Sequence, residues 1–287
     1  MIQIYPTFRP TLAHRFLHFP LTRMVFPVLA FMLPFLLLQA GATRFFDEKI
    51  FVRCGQLLAA CVAYVAYAWV MRHLEKRVPT ELARTGAVSE FFLGFGIGGA
   101  LIALAVGALM SLGAYEVQGV SPLAVVAAPL MLHLIIGMIE ELIVRGVIFR
   151  VLQDYLGSYF TLALTSLLFG VMHLMNDHIT WLSFANIVAL GALLGAAFLM
   201  TGRLWICIAL HAAWNFTQDG IFSINVSGQV VKNGLVFGKL SGPDWLTGGT
   251  FGLEGSAITL VLLVISTTVA IALARRAKRI AVPVWQR

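Results

Sequence analysis

The chain has 287 residues, of which 60% are hydrophobic and 11% charged, and its mean hydropathy is +0.90; this excludes an ordinary soluble domain and describes a polytopic membrane protein. The formal net charge of +7 would suggest nucleic acid in a soluble protein, but the Lys and Arg residues sit mainly on alternate loops, so the charge reads as topology and no nucleic-acid partner is expected. Cys54, Cys61 and Cys207 form no CxxC pair and are odd in number; they indicate neither a disulfide framework nor a thiolate metal site and read as small apolar fillers.

In chain order, apolar windows fall near 24–42, 55–72, 91–115, 122–145, 158–174, 183–200, 204–220 and 257–274. Each has about the length needed to cross a hydrocarbon core of roughly 30 Å. The fold expected is all-α, with about eight transmembrane helices, seven or nine being the neighbouring counts, around an intramembrane polar cavity. Pro27 and Pro34 predict kinks in the first helix. Its end, Ala40-Gly41-Ala42, is similar to a signal-peptidase site, but the apolar stretch is long for a cleaved leader and reads as an anchor. Residues 73–90 mix both charges around a Pro-Thr-Glu helix start and are expected along the cytoplasmic surface. Gly94/Gly98 and Gly191/Gly195 have small-xxx-small spacing and read as close helix contacts. Residues 218–256 form a long connection rich in Gly, Ser and Asn, predicting a lid, a re-entrant piece or a short hairpin.

With the N-terminus inside, the inner segments hold 15 of the 20 basic residues: Arg9, Arg15, Arg23, Arg72, Lys76, Arg77, Arg84, Arg145, Arg150, Arg203, Arg275, Arg276, Lys278, Arg279 and Arg287. The outer ones hold 5, namely Arg44, Lys49, Arg53, Lys232 and Lys239. Both termini are therefore expected in the cytoplasm, in a bacterial inner membrane. The organisation divides into N-terminal anchor helices with the polar segment (1–90), a catalytic membrane core (91–220), an outer loop (221–256) and a C-terminal helix with a basic tail (257–287).

The stretch GMIEELIVRG places Glu140, Glu141 and Arg145 inside an apolar helix. Central charges cost roughly 2.5–3.5 kcal/mol each on insertion scales and are tolerated facing a protein interior or a watery cavity. Glu141 and Arg145, at i, i+4 with the acid first, predict an ion pair. Glu140 is rotated about 100° from Glu141 and is left without that partner. The following helix pairs Phe169 with His173 one turn apart, and a later one pairs His211 with Asn215. Counting back from a turn at 155–158 puts Glu140 and His173 at one depth, and the cluster is expected in the cytoplasmic half of the membrane. His133, two turns before Glu140, reads as a packed residue in preference to a cavity-lining one. His178, beside Asp177, reads as solvated. Glu254 reads as a helix cap in preference to a gate.

A carboxylate and two imidazoles converging in a low-dielectric cavity have two enzymatic uses. In one, Glu140 is a general base for a water that His173 helps to position, and His211 and Asn215 donate to the oxyanion of an attacked amide. In the other, Glu140, His173 and His211 ligate a divalent metal such as zinc, which activates the water. Both give peptide-bond hydrolysis. No HExxH and no GxSxG is present, so neither a zincin helix nor a nucleophile elbow is indicated.

The order Glu-Glu-x-x-x-Arg (Glu140, Glu141, Arg145), Phe-x-x-x-His (Phe169, His173) and His-x-x-x-Asn (His211, Asn215) resembles the motif set of the CPBP intramembrane proteases. That family is also called ABI and includes the type II CAAX prenyl endopeptidases, the Ras-converting enzymes, and bacteriocin-processing or immunity proteins. The resemblance covers roughly residues 120–220. It implies an eight-helix membrane fold with a conical cavity that cleaves a lipidated or hydrophobic peptide or protein, in contact with membrane lipid. Carried over by position, Glu140 and His173 activate water, His211 and Asn215 form the oxyanion site, and Glu141, Arg145 and Phe169 support them. The family is described both as glutamate-dependent and as metal-dependent. Where many members have an aromatic residue before the motif arginine, this chain has Val144. Two other readings are a non-proteolytic immunity or scaffold protein, which would tolerate Glu140→Gln, and a transporter, against which stands the absence of a clear inverted repeat.

Overall fold

The computed structural model describes residues 19–231 and 234–286; the topological expectations carried by Arg9, Arg15, Lys232 and Arg287 lie outside them. Helix α1 (Pro20–Phe45) starts with Pro at its first turn, where the missing N–H has no partner to lose. Pro27 and Pro34 both lie inside this one uninterrupted helix. It is followed by α2 (Lys49–His73), α3 (Ala87–Ser111) and α4 (Ala127–Glu141), which passes through a π-helical segment, Leu142–Phe149, into α5 (Arg150–Met172). Helices α6 (Trp181–Thr201), α7 (Trp205–Phe216) and α8 (Ala257–Arg276) complete the bundle. Thr180 caps α6 by accepting from Ser183 N–H, and Ser256 caps α8 by accepting from Ile258 N–H.

Six helical runs are long and apolar enough to span a membrane, and one of them, Leu123–Met172, has 50 residues. It is two passes, because Gly157 breaks α5 with φ 70° and ψ 178°. Only glycine fits there: a Cβ would meet Pro283 N at 2.6 Å. The expected turn at 155–158 is at this residue, and α7 supplies the remaining short segment. The chain is an integral membrane protein of helical class, with eight bundle helices among the described residues and, apart from them, a single α-helical turn, Asp244–Thr247.

Helix α7 is the axis of the molecule, with every residue from Ile206 to Phe216 buried. Its neighbours approach it backbone to backbone. A Cβ on Gly94 or Gly98 of α3 would lie 2.4 Å from Ile206 O or 2.3 Å from Leu210 O, and one on Gly137 of α4 would lie 3.0 Å from Ile208 O. On α6, a Cβ on Gly191 would lie 3.0 Å from Phe169 Cβ, and one on Gly195 would lie 2.6 Å from Leu162 Cδ1 and 3.4 Å from Phe149 Cε2. Van der Waals contact of this kind replaces the hydrophobic drive that lipid cannot supply between helices. Gly98→Val is therefore expected to overpack the α3–α7 seam and to lower stability by about 1–3 kcal/mol, read as a lower unfolding midpoint in detergent; an unchanged midpoint would mean that the seam relaxes freely.

Two stretches differ from expectation. Within the segment 73–90, His73 ends α2 and Ala87–Glu90 begin α3; residues 74–86 between them, apart from one 3-10 turn, Thr80–Leu82, are irregular chain pinned to the bundle. Glu75 accepts from Arg150 Nη2 (2.8 Å) and Arg77 Nε (3.2 Å) and pairs with Arg23 at 3.5 Å. Burial pushes the Glu75 carboxyl up, but the Arg150 hydrogen bond and the charges of Arg150, Arg23 and Arg77 outweigh it and hold its pKa below the ordinary carboxylate value. Glu81, buried, bonds Arg77 and the hydroxyl of Tyr67. The window drawn to 115 is also too long. Helix α3 stops at Ser111, and β1 (Tyr115–Val120) pairs antiparallel with β2 (Val236–Leu240), with a bulge between Val117 and Gly119. The connection 218–256 is thus not a self-contained hairpin: it supplies one strand, whose partner in the ribbon comes from before α4. Cys207 is buried, Cys54 and Cys61 are exposed, and all three are free.

Candidate active site

A cavity of about 890 Å³ descends into the bundle, and Glu140, Phe169, His173, His211 and Asn215 all line it. The three helices that the motifs mark, α4, α5 and α7, are thereby brought to one place. Each side chain is aimed by a local feature of its helix.

At the end of α5 the last turn tightens: the backbone N–H of His173 bonds Gly170 O (3.1 Å), leaving the Phe169 carbonyl free of its usual helical donor. His173 Nδ1–H donates to that carbonyl at 2.7 Å. A carbonyl only accepts, so in the neutral ring the proton is on Nδ1 and Nε2 presents a lone pair.

Glu141 and Arg145 are both fully buried and paired at 2.9 Å, as their spacing predicts. The pairing extends further than the spacing shows. The same carboxylate oxygen of Glu141 accepts from His211 Nδ1–H at 2.9 Å, while Arg145 Nη2–H donates to Gly191 O at 2.8 Å and the guanidinium lies 5.0 Å from the centre of the Phe169 ring. Phe169, 1% exposed, stands edge-on to His211, with ring centres 5.9 Å apart, and 4.8 Å from His173. Glu141 thus turns His211 so that Nε2 faces Glu140, 4.0 Å from its Oε2. Glu140 Oε2 and Asn215 Oδ1 are buried and make no hydrogen bond within the protein.

Both helices that carry carboxylate or amide to the cavity change winding just beyond it: α4 into Leu142–Phe149 and α7 into the π-helical turn Thr217–Ile221. Such i→i+5 turns insert an extra residue and recur at functional sites. Here the second one carries Asp219, whose Oδ2 lies 2.8 Å from His133 Nε2. His133 is therefore not an ordinary packed residue but half of a polar pair in the cavity wall, a correction whose cause is a partner 86 positions away. Glu254 is a second correction. It caps no helix; 2% exposed, it accepts from Trp214 Nε1–H (3.0 Å), Ser227 N–H (2.8 Å) and Ser227 Oγ–H (2.6 Å). It ties the outer connection to the residue that precedes Asn215 and itself lines the cavity. Lys49 and Arg53 of α2 are further lining residues outside the motifs.

The cluster is also reached from the end away from the basic loops. His173 closes α5 at its far end from Gly157, because that helix runs out at Met172. The mouth of the cavity lies at that end, where its exposed lining residues Lys49, Met172, Gln229 and Val230 all stand.

Among the described residues no three His, Cys, Asp or Glu side chains gather closely enough to form a metal-holding group, while the Nδ1 hydrogen bonds of both imidazoles leave their Nε2 atoms to the cavity, which is also how a metal-ligating histidine is oriented.

The fold and cavity define a polytopic helical membrane protein with an internal polar site. Residues 121–217, about a third of the chain, match the family model described as type II CAAX prenyl endopeptidase Rce1-like. Over that span the chain is similar to the Rce1-like family, a likeness, at family level, to a CAAX-type intramembrane endopeptidase. No curated protein matches the chain.

Proposed function

We propose that the chain is an intramembrane endopeptidase that hydrolyses a peptide bond of a membrane-associated substrate, the prenylated CAAX-like peptide being the class its family relation suggests. One observation carries the reading: the unpartnered carboxylate oxygen of Glu140 and the side chains of His173, His211 and Asn215 share one cavity. Glu140 and the lone pair of His173 Nε2 hold a water between them. Glu140 takes its proton as the oxygen attacks the amide carbon. The oxyanion then receives Asn215 Nδ2–H and His211 Nε2–H; the latter role requires both nitrogens of His211 to be protonated, with Nδ1–H kept by Glu141. Collapse breaks the C–N bond, and Glu140 returns the proton to the leaving amine. Glu141, Arg145 and Phe169 are positioning residues.

The Lys and Arg distribution supports a protein with both termini in the cytoplasm. The test is cleavage by the purified full chain, in detergent or liposomes, of a prenylated CAAX peptide and a panel of short hydrophobic peptides. His173→Ala is expected to cut turnover by roughly 10²- to 10⁴-fold, and a chelator to leave wild-type activity unchanged. Full activity in His173→Ala would remove that residue from the mechanism. Chelator sensitivity restored by zinc would replace the carboxylate-held water with a metal-bound one.

A further inference from the structure

The two ends of the bundle are chemically different, and the cavity belongs to one of them. At the first end a continuous network joins Arg23, Glu75, Arg77, Arg150 and Asp154. Around it, Leu204 N–H bonds Glu81 O, Trp205 Nε1–H bonds Ala83 O and Ser158 N–H bonds Ala281 O, so the connections 74–86, 202–204 and 277–283 and the Gly157 turn meet on one face. At the second end β1 pairs with β2, Tyr115 Oη–H bonds Phe222 O (3.0 Å) and Asn176 Nδ2–H bonds Ser227 O (3.0 Å).

Among the described residues, eleven Lys and Arg stand at the first end: Arg23, Arg72, Lys76, Arg77, Arg84, Arg150, Arg203, Arg275, Arg276, Lys278 and Arg279. Four stand at the second: Arg44, Lys49, Arg53 and Lys239. Short connections rich in Lys and Arg remain on the cytoplasmic side. The first end is therefore cytoplasmic. The exposed residues of the cavity wall, Lys49, Met172, Gln229 and Val230, belong to the second end, as do Asn176 and Ser227 beside them. No residue of the four cytoplasmic connections lines the cavity.

We infer that the site opens to the non-cytoplasmic side of the membrane, and that its substrates are hydrophobic or lipid-anchored peptide segments presented on that face. The substrate part of this inference rests on the hydrolytic reading above; the direction of the mouth does not. The polar wall suits a peptide entering from that side. Lys49, Arg53 and the His133–Asp219 pair meet it before Glu140 does, because Lys49 and Arg53 begin α2 and His133 precedes Glu140 by two turns on α4.

The test uses the full chain carrying Cys54→Ala and Cys61→Ala, in sealed membrane vesicles of known orientation, with a membrane-impermeant maleimide. Val230→Cys, exposed on the mouth segment, is expected to label in right-side-out vesicles and to be protected in inverted ones. Arg276→Cys, exposed at the basic end, is expected to show the reverse. The opposite pattern for either residue overturns the inference. An impermeant hydrophobic peptide added outside is then expected to be cleaved by right-side-out vesicles alone. Cleavage by inverted vesicles alone overturns the substrate assignment. Correct labelling with no cleavage in either orientation counts against the hydrolytic reading and leaves the direction of the mouth standing.

Discussion

Glu140→Gln is expected to reduce peptide hydrolysis by roughly 10²- to 10⁴-fold without moving the unfolding midpoint in detergent. The two halves of this expectation have one cause. Glu140 Oε2 makes no hydrogen bond within the protein, His211 Nε2 lying 4.0 Å away, so an amide of the same shape forfeits no hydrogen bond, and the activity lost is the ability to accept a proton from water. A drop in activity accompanied by a drop in stability would mean that Glu140 is a packing group, while full activity would assign the base elsewhere and favour a scaffold reading of the motifs. Steady-state rates and an unfolding curve on the same preparation decide between these outcomes.

Arg145→Ala is expected to behave in the opposite way, destabilising the protein by about 3–5 kcal/mol, the usual cost of leaving a buried partner uncompensated. Arg145 is fully buried and answers both Glu141 and the Gly191 carbonyl, so its removal strands a carboxylate and a carbonyl in a dry interior. The double replacement Glu141→Gln with Arg145→Met removes the stranded charge. It is expected to recover part of the lost midpoint while remaining poorly active, because His211 Nδ1–H then has only a neutral acceptor. Equal midpoints for Arg145→Ala and the double variant would show that the charge on Glu141 is not what destabilises the single one.

The parts of the structure legible in the sequence are those governed by local spacing. Lipid demands apolar length, so the eight windows locate the eight helices, and the i, i+4 rule finds the Glu141–Arg145 pair. It cannot find His211 on the same carboxylate, because that contact joins residues 70 positions apart. The same limit hides Asp219 behind His133 and Trp214 behind Glu254. The end of α3 is a different case. Tyr115–Val120 alternates in a way that permits a strand, but its partner lies beyond α7, and an apolar window has no means of registering it. The π-helical turns after Glu141 and Phe216 leave no mark in composition, since Leu142–Phe149 and Thr217–Ile221 are compatible with ordinary α-winding. The motifs mark the floor of the cavity; part of its wall, including Lys49, Arg53, Asp219 and Glu254, comes from outside them.

That division has a consequence for how such a protein can change. Lys49, Arg53, Val230 and Glu254 shape the cavity from outside residues 121–217, the span that matches the family. The matched span is therefore not a self-sufficient unit that can be cut out with its binding site complete. Conversely, exchanging the 222–256 connection remodels one wall while leaving Glu140, His173, His211 and Asn215 untouched, so two proteins with the same reactive floor can come to admit different guests.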